Sequence, residues 1–326
     1  MTVMSIQKMP ALSVDRLVKT FDVSAPWLNR LIERKPRQVL QAVNDITFHV
    51  PMGGCLSLVG ESGCGKSTVA RLVTGLYKPD TGDIRFAPGQ DGKPLSAQMI
   101  FQDPYASLNP RWRVKNIIAE PLRELKLRNS KAEITERVEE LLKTVGLSAS
   151  DGEKFPHEFS GGQRQRISIA RALAGEPSFL VCDEPTSALD VSVQAQVLNL
   201  MRRLQDEFGL TYLFISHDLS VVRHMSDRIA VMYLGRIVEE GDTEDLFARP
   251  RHPYTQLLLE TIPNVKHPHR DRVVAGGEVP SPLKPPSGCP FHPRCPIATA
   301  RCSEEPPPVR TLASGTRVAC HFVTEQ

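Results

Sequence analysis

Nine residues, Gly60-Glu61-Ser62-Gly63-Cys64-Gly65-Lys66-Ser67-Thr68, constrain this chain most. They fit the pattern G-x-x-x-x-G-K-[ST], with Ser67 followed by Thr68. The run before them, Cys55-Leu56-Ser57-Leu58-Val59, is apolar and short enough for a buried strand, and residues 69–76 carry helix-compatible spacing. The context is therefore strand, loop, helix, which this loop requires. Gly60, Gly63 and Gly65 let successive backbone N–H groups turn toward phosphate oxygens without a Cβ in the way, and the positive end of the following helix favours the anion. Gly60, Ser62, Gly63, Cys64, Gly65, Lys66, Ser67 and Thr68 are thus expected around a nucleoside triphosphate. Lys66 would reach the β and γ phosphates, and the Ser67 hydroxyl would bind Mg²⁺. The competing reading is a Gly-rich turn that binds nothing, so the rest of the chain decides.

With 326 residues and 40% hydrophobic content the chain can bury one large core or two. A formal net charge of +3 is too small to mark a nucleic-acid binder, which usually shows a strongly basic face or a pI above about 9. No stretch approaches the roughly 18 uninterrupted apolar residues of a spanning helix, and residues 1–10 lack a long apolar segment. A cytosolic or peripheral protein is expected.

Residues 12–21 alternate like an edge strand. Within residues 22–37, Trp27, Leu28, Leu31 and Ile32 are spaced to share one face of a short helix, which either packs on its own domain or forms a surface or membrane-facing insertion. Residues 46–50 alternate as a second strand, and Pro51-Met52-Gly53-Gly54 turns the chain into the strand that feeds the loop. Short strands are expected over residues 83–86 and 98–101, the latter ending on Gln102. A polar residue there sits at the sheet's carboxyl edge, where α/β proteins bind ligands, so Gln102 could ligate Mg²⁺ and orient water. Residues 103–114 read as loop, and residues 114–127 and 132–145 as inserted helices.

Ser160-Gly161-Gly162-Gln163 opens another helical pattern. Ser160 is a good N-cap, and the glycines leave N–H groups uncovered at the helix start, making a second anion site. Phe179-Leu180-Val181-Cys182-Asp183-Glu184 is an apolar strand ending in two carboxylates. Asp183 would hold Mg²⁺ through water, and Glu184 could polarise an attacking water, since nucleotide hydrolysis needs a placed base and a charge clamp more than covalent chemistry. Ser187-Ala188-Leu189-Asp190 leads into a helix over residues 191–207. A buried strand over residues 211–215 then delivers Ser216-His217-Asp218, where His217 could contact the γ phosphate.

Taken together, these residues resemble the ATP-binding cassette family of transporter ATPases. Residues 60–68 resemble its Walker A, Gln102 its Q-loop, residues 160–163 its signature, residues 179–184 its Walker B, residues 187–190 its D-loop and His217 its switch histidine. Six motifs stand in the family's order. The resemblance implies an α/β P-loop cassette with a RecA-like core, an antiparallel β subdomain and an inserted helical subdomain at about residues 103–177. The cassette spans residues 11–248 and a loop-rich C-terminal extension residues 249–326. It also implies a head-to-tail dimer in which Walker A of one cassette and the signature of the other, Ser160, Gly161, Gly162 and Gln163, sandwich ATP, with Asp190 at the same interface. The family's adenine-stacking aromatic maps to Phe21.

Residues 60–68, residues 101–111 (Phe101-Gln102-Asp103-Pro104-Tyr105-Ala106-Ser107-Leu108-Asn109-Pro110-Arg111) and His252-Pro253-Tyr254-Thr255 are similar to the oligopeptide and dipeptide importer ATPases, and to the type named for its F position. This implies a subunit on the cytoplasmic face of the inner membrane, paired with a paralogous ATPase or with itself. Its further partners would be two transmembrane permeases, meeting residues 103–113, and an extracytoplasmic substrate-binding protein. An importer of nickel or glutathione is the alternative. A cassette protein acting on nucleic acid or ribosomes lacks support, because this chain has neither long helical insertions nor a basic excess.

About half of the 27 prolines lie beyond residue 249, so the tail is expected to be loop-rich rather than more sheet. Cys289, Cys295, Cys302 and Cys320 are clustered there as C-x5-C-x6-C-x17-C. With no export signal a disulfide framework is disfavoured. Four thiolates suit zinc or an iron–sulfur cluster, with His292 and His321 as spare zinc ligands. The spacing is wider than the usual zinc pairs and is similar to the C-terminal motif that in peptide-importer ATPases is associated with a [4Fe-4S] cluster.

Overall fold

The computed structural model describes residues 10–33, 36–89, 92–261 and 278–323. In chain order its elements are β1 (Pro10–Asp22), α1 (Trp27–Glu33), β2 (Val39–Pro51), β3 (Cys55–Val59), α2 (Lys66–Val73), β4 (Thr81–Phe86), β5 (Ala97–Ile100), α3 (Pro104–Ser107), α4 (Val114–Glu124), α5 (Lys131–Thr144), α6 (Gly161–Ala174), β6 (Phe179–Asp183), α7 (Val191–Phe208), β7 (Thr211–Ile215), α8 (Leu219–Met225), β8 (Arg228–Tyr233), β9 (Arg236–Asp242), α9 (Thr243–Ala248), α10 (Pro253–Glu260), α11 (Ala300–Glu304), β10 (Val309–Thr311) and β11 (Arg317–Ala319). They fall into two compact units.

The first unit comprises residues 50–55 and 86–216 together with the start of the chain. Its strands β5, β6 and β7 are parallel neighbours, with Ile100 opposite Cys182 and Cys182 opposite Phe214. Every residue of β6 and β7 is buried, which explains their unbroken apolar runs: parallel strands covered on both faces have no solvent side to alternate toward. The shared register brings Gln102, Asp183 and Ser216 to one carboxyl edge. Helices α4, α5 and α6 bury the stripes Ile117, Ile118 and Leu122; Val138, Leu141 and Leu142; and Ile167, Ala170 and Leu173.

Residues 103–114, expected as loop, contain α3. Asp103 caps it, accepting from the Tyr105 and Ala106 N–H groups at 2.8 and 3.2 Å, and Pro104 occupies the first turn, where its missing N–H costs nothing. At four residues, α3 is too short for hydrophobic spacing to reveal it.

The second unit comprises residues 13–49, 56–85 and 217 onward. Strands β10-β11-β9-β8-β3 lie side by side: β8 runs parallel to β3, while β9, β11 and β10 follow in antiparallel pairs. The tail therefore adds two short strands to the sheet, against the expectation of loop alone. Long-range pairing made them: β10 and β11 are three residues each, below the length at which alternation is readable. Buried Glu240 on β9 accepts from Arg317 of β11 at 3.0 Å and Arg228 of β8 at 3.3 Å, and Arg317 also donates to the Thr47 carbonyl. Fully buried Glu239 accepts the Arg251 and His252 N–H groups at 2.8 and 2.9 Å, holding the entry to α10, and its burial raises the carboxyl above its usual range.

Most of β2, β1 and β4 form a separate three-stranded sheet in that order. Asp80 closes one end of it by accepting from Lys19 Nζ and from the N–H and hydroxyl of Thr20, at 2.7–2.8 Å. Trp27 and Ile32 of α1 are 75% and 73% exposed, so the described residues leave both largely uncovered; the side chains of Leu28 and Leu31 lie outside the described residues.

Directly after β6, Glu184 adopts the left-handed region at φ 47°, which is uncommon for a residue with a Cβ. Its N–H donates to the Ile215 carbonyl at 2.9 Å, and its own carbonyl accepts from the Ser187 N–H and hydroxyl at 3.3 and 3.1 Å, so surrounding bonds impose the conformation. Such strain costs of order 1–3 kcal/mol, more than the roughly 0.4–1 kcal/mol of extra chain entropy a glycine brings to the unfolded state. Glu184→Gly is therefore expected to stabilise the first unit by about 1 kcal/mol, read as a raised thermal midpoint in calorimetry; a lowered midpoint would show that the backbone there is relaxed.

Candidate nucleotide-binding site

The loop between β3 and α2 is shaped by close backbone approach. A Cβ at Gly60 would collide with the Met232 carbonyl oxygen, and one at Gly65 with that of Ala42; both residues also have positive φ, 150° and 108°. Only glycine fits at either position. At Gly63 there is open space, and glycine serves the φ of 79° alone. The Cys64 carbonyl accepts the Gly235 N–H at 2.9 Å, tying the loop to the β8–β9 turn.

Lys66 begins α2 and is 5% exposed. Its ammonium donates to the carbonyls of Gly60 at 2.7 Å and Glu61 at 2.9 Å and to Cys64 Sγ at 3.7 Å. Those three acceptors match its three donors, as a buried ammonium requires. Burial pushes the Cys64 thiol above its ordinary range, despite the neighbouring Lys66, so it is a packing group here rather than a nucleophile. Ser67 and Thr68 are half-buried on the first turn of α2, and the exposed Ser62 flanks the loop. Phe21, half-buried, meets Tyr77 edge-on with ring centroids 5.4 Å apart. His217 is exposed, and the next residue, Asp218, caps α8.

In the first unit, the carboxyl edge carries the hydrolytic candidates. Asp183 is 3% exposed at the end of β6, and Gln102 Nε2 donates to Glu184 Oε2 at 2.9 Å. Sequence spacing of 82 residues gives no hint of that contact; the parallel register of β5 with β6 produces it. Ser160 caps α6 in a capping box, with its N–H donating to Gln163 Oε1 at 3.0 Å and its hydroxyl accepting from the Gln163 N–H at 3.4 Å. Val193 lies against Gly162, where a Cβ would strike its Cγ1, so the helix start stays bare. Asp190 caps α7 through the Val193 N–H at 3.0 Å.

The four tail cysteines, Cys289, Cys295, Cys302 and Cys320, line one small cavity of about 10 Å³ together with His252, His292 and His321. None of the seven cysteines is joined in a disulfide. Burial pushes the Cys289 thiol up to about 11, with the three other cysteines adding to the effect, and burial raises Cys295 as well. His292 Nδ1 lies 2.9 Å from the Cys289 carbonyl and His321 Nε2 3.0 Å from that of Glu305, so one nitrogen of each ring is engaged by backbone. Buried His252 is pushed down to about 4 by desolvation. Among the described residues no group of three or more His, Cys, Asp or Glu side chains is arranged to hold a metal ion.

Sequence reasoning missed three residues that shape the phosphate loop: Glu61, Tyr254 and Arg294. Arg294 pairs with Glu61 from 233 positions away, and Tyr254 accepts the Glu61 N–H. No local pattern signals either contact.

Comparison with known proteins agrees with this geometry. Residues 43–187 match the ABC transporter family, and residues 238–302 match the oligopeptide/dipeptide transporter C-terminal region. The chain is 49% identical to the oligopeptide transport ATP-binding protein AppF of Bacillus subtilis, over 96% of this chain and 99% of that one. It is 48% identical to the dipeptide transport ATP-binding protein DppF of Haemophilus influenzae, over 89% and 91%. Among solved structures, the dimeric ATP-binding cassette MJ0796 bound to ADP and Pi resembles it with a TM-score of 0.59 and 26% identity, covering 71% of this chain and 98% of that one. Among the described residues no helix is long and apolar enough to cross a membrane. With six motifs in order and near-full-length relatives at almost half identity, the chain belongs to the ATP-binding cassette transporter ATPases and carries the C-terminal region of their oligopeptide and dipeptide branch.

Proposed function

We propose that this chain is the ATP-hydrolysing subunit of a peptide importer, working at the cytoplasmic face of the membrane. The observation that carries the hydrolytic part is the Glu184 carboxylate, held by Gln102 at 2.9 Å beside the buried Asp183. Lys66 exchanges its contacts with the loop carbonyls for the β and γ phosphates, and Gly60, Ser62, Gly63, Cys64, Gly65 and Thr68 surround them with N–H groups. Ser67, Gln102 and, through water, Asp183 would hold Mg²⁺, whose charge would offset that of the phosphoryl group when bound. Glu184 takes a proton from the attacking water. His217 contacts the γ phosphate, and Phe21 stacks on adenine. Ser160, Gly161, Gly162 and Gln163 act on the nucleotide of the opposite cassette, with Asp190 at that interface.

The opposite cassette is a paralogous ATPase or a second copy, and the complex includes two permeases and a substrate-binding protein. Relatives named for oligopeptide and dipeptide transport support a peptide cargo. Exposed Tyr105 and Trp112, 57% and 40% accessible, support residues 103–113 as the permease contact. The cassette is assigned to residues 11–248 and the extension to 249–326.

The tail thiols are proposed to hold a [4Fe-4S] cluster. Four cysteines lining one cavity support the donor set, since four thiolates would hold such a cluster. Zinc is the alternative, with His292 and His321 of the same cavity as further ligands.

Three outcomes are expected. Lys66→Ala loses ATP binding, measured by calorimetry on the purified chain. Glu184→Gln binds ATP normally, yet in the assembled transporter its steady-state hydrolysis falls by roughly 10²-fold or more, the lower end of what a positioned base contributes; unchanged hydrolysis assigns the base elsewhere. Anaerobically purified protein is brown with absorbance near 400 nm and about four irons per chain; colourless protein with one zinc per chain rejects the cluster.

A further inference from the structure

The second residue of the phosphate loop is gripped from the C-terminal extension at two points. Arg294 stands inside the Cys289-Pro-Phe-His-Pro-Arg-Cys295 segment, and its side chain is 7% exposed. Its Nη1 donates to Glu61 Oε2 at 2.9 Å and its Nη2 to Glu61 Oε1 at 3.0 Å. Two parallel N–H···O bonds fix the carboxylate in plane and direction, which a lysine could not do. From α10, the Tyr254 hydroxyl accepts the Glu61 N–H at 2.9 Å. The rings of Tyr233, Tyr254 and Phe291 pack with centroids 4.6–5.4 Å apart, and the Arg294 guanidinium carbon lies 5.9 Å from the centroids of Tyr233 and Phe291. Both side chain and backbone of Glu61 are thus set by residues beyond 250.

Glu61 is not a neutral spacer. Its carbonyl and that of Gly60 accept from the Lys66 ammonium, so a shift of Glu61 moves two of the three groups that position Lys66. Its carboxylate is also an anion on a loop built to receive anions. Paired with Arg294 it is neutralised and pointed toward the extension; unpaired, it would oppose a triphosphate.

We infer that Arg294 and Tyr254 are positioning residues for nucleotide binding, through which the extension holds the phosphate loop in its binding shape. The inference rests on the reading of that loop as the ATP site. Coupling between two sites is reciprocal, so nucleotide binding steadies the segment 289–302 in return.

The test measures MgATP dissociation constants on the full-length chain. Lys66→Ala serves as the control: if it binds ATP like the wild type, the loop is not the nucleotide site and the inference falls with that reading. With the control inactive, Arg294→Gln is expected to bind roughly tenfold more weakly, within the usual range for coupled sites, and Arg294→Lys to recover part of that loss. Glu61→Gln combined with Arg294→Gln is expected to be no weaker than Arg294→Gln alone, because the pair acts as a unit. Affinity within twofold of wild type in folded Arg294→Gln, or losses that simply add in the double variant, overturns the inference. If Arg294→Gln does not fold, Tyr254→Phe and hydrogen exchange on the unaltered chain decide. Weaker binding in the former, or slower exchange at residues 289–302 with MgATP in the latter, supports coupling; no change in either overturns it.

Discussion

The phosphate loop is possible only because two backbones can approach it without obstruction. At Gly60 and Gly65 a single methyl group would strike the carbonyl oxygens of Met232 and Ala42, so β8 and β2 act as the walls against which the loop is pressed. Glycine at these sites has a backbone role, opening N–H groups to an anion, and a packing role, letting the strands close behind it. Lys66 is then buried within the loop, its ammonium bonded to the carbonyls of Gly60 and Glu61. A buried cation surrounded by carbonyl dipoles holds the loop shape through electrostatics in a medium that screens poorly.

The carboxyl edge of β5 and β6 follows another principle. Buried parallel strands end together, and their register places Gln102 against Glu184 with no local instruction in either segment. Glu184 sits in a strained conformation maintained by hydrogen bonds from β7 and Ser187, a cost tolerated where side-chain direction matters more than stability. The C-terminal extension is bound by a third means, charge placed inside the fold. Glu239 and Glu240, both buried on β9, accept bonds from Arg251, His252, Arg228 and Arg317, and these pin α10 and β11 to the second unit. Removing either partner of such a buried set leaves an uncompensated group, so these contacts hold the extension in one arrangement more than they add net stability.

Much of this is legible in the order of the amino acids alone. The apolar runs of β3, β6 and β7, the helical spacing of α4 and α5, and the Ser160 cap each express a local rule over four or more residues, and each element forms where that rule places it. Three of the shortest elements are not legible in this way: α3 depends on one cap and one proline, and β10 and β11 exist only because β9 offers an edge. The exposure of Trp27 and Ile32 is equally hidden, since an apolar stripe on a short helix says only that something covers it, and not whether that is its own chain.

By itself, the sequence determined which side chains are suited to the proposed chemistry of phosphate binding, Mg²⁺ binding, general base and thiolate supply, because those properties belong to side chains and to spacings of a few residues. Tertiary structure alone decided which of them meet. The pairing of Glu61 with Arg294 and the contact of Gln102 with Glu184 arise from strand order and long-range packing, and these interactions depend on distances in space that spacing along the chain does not encode.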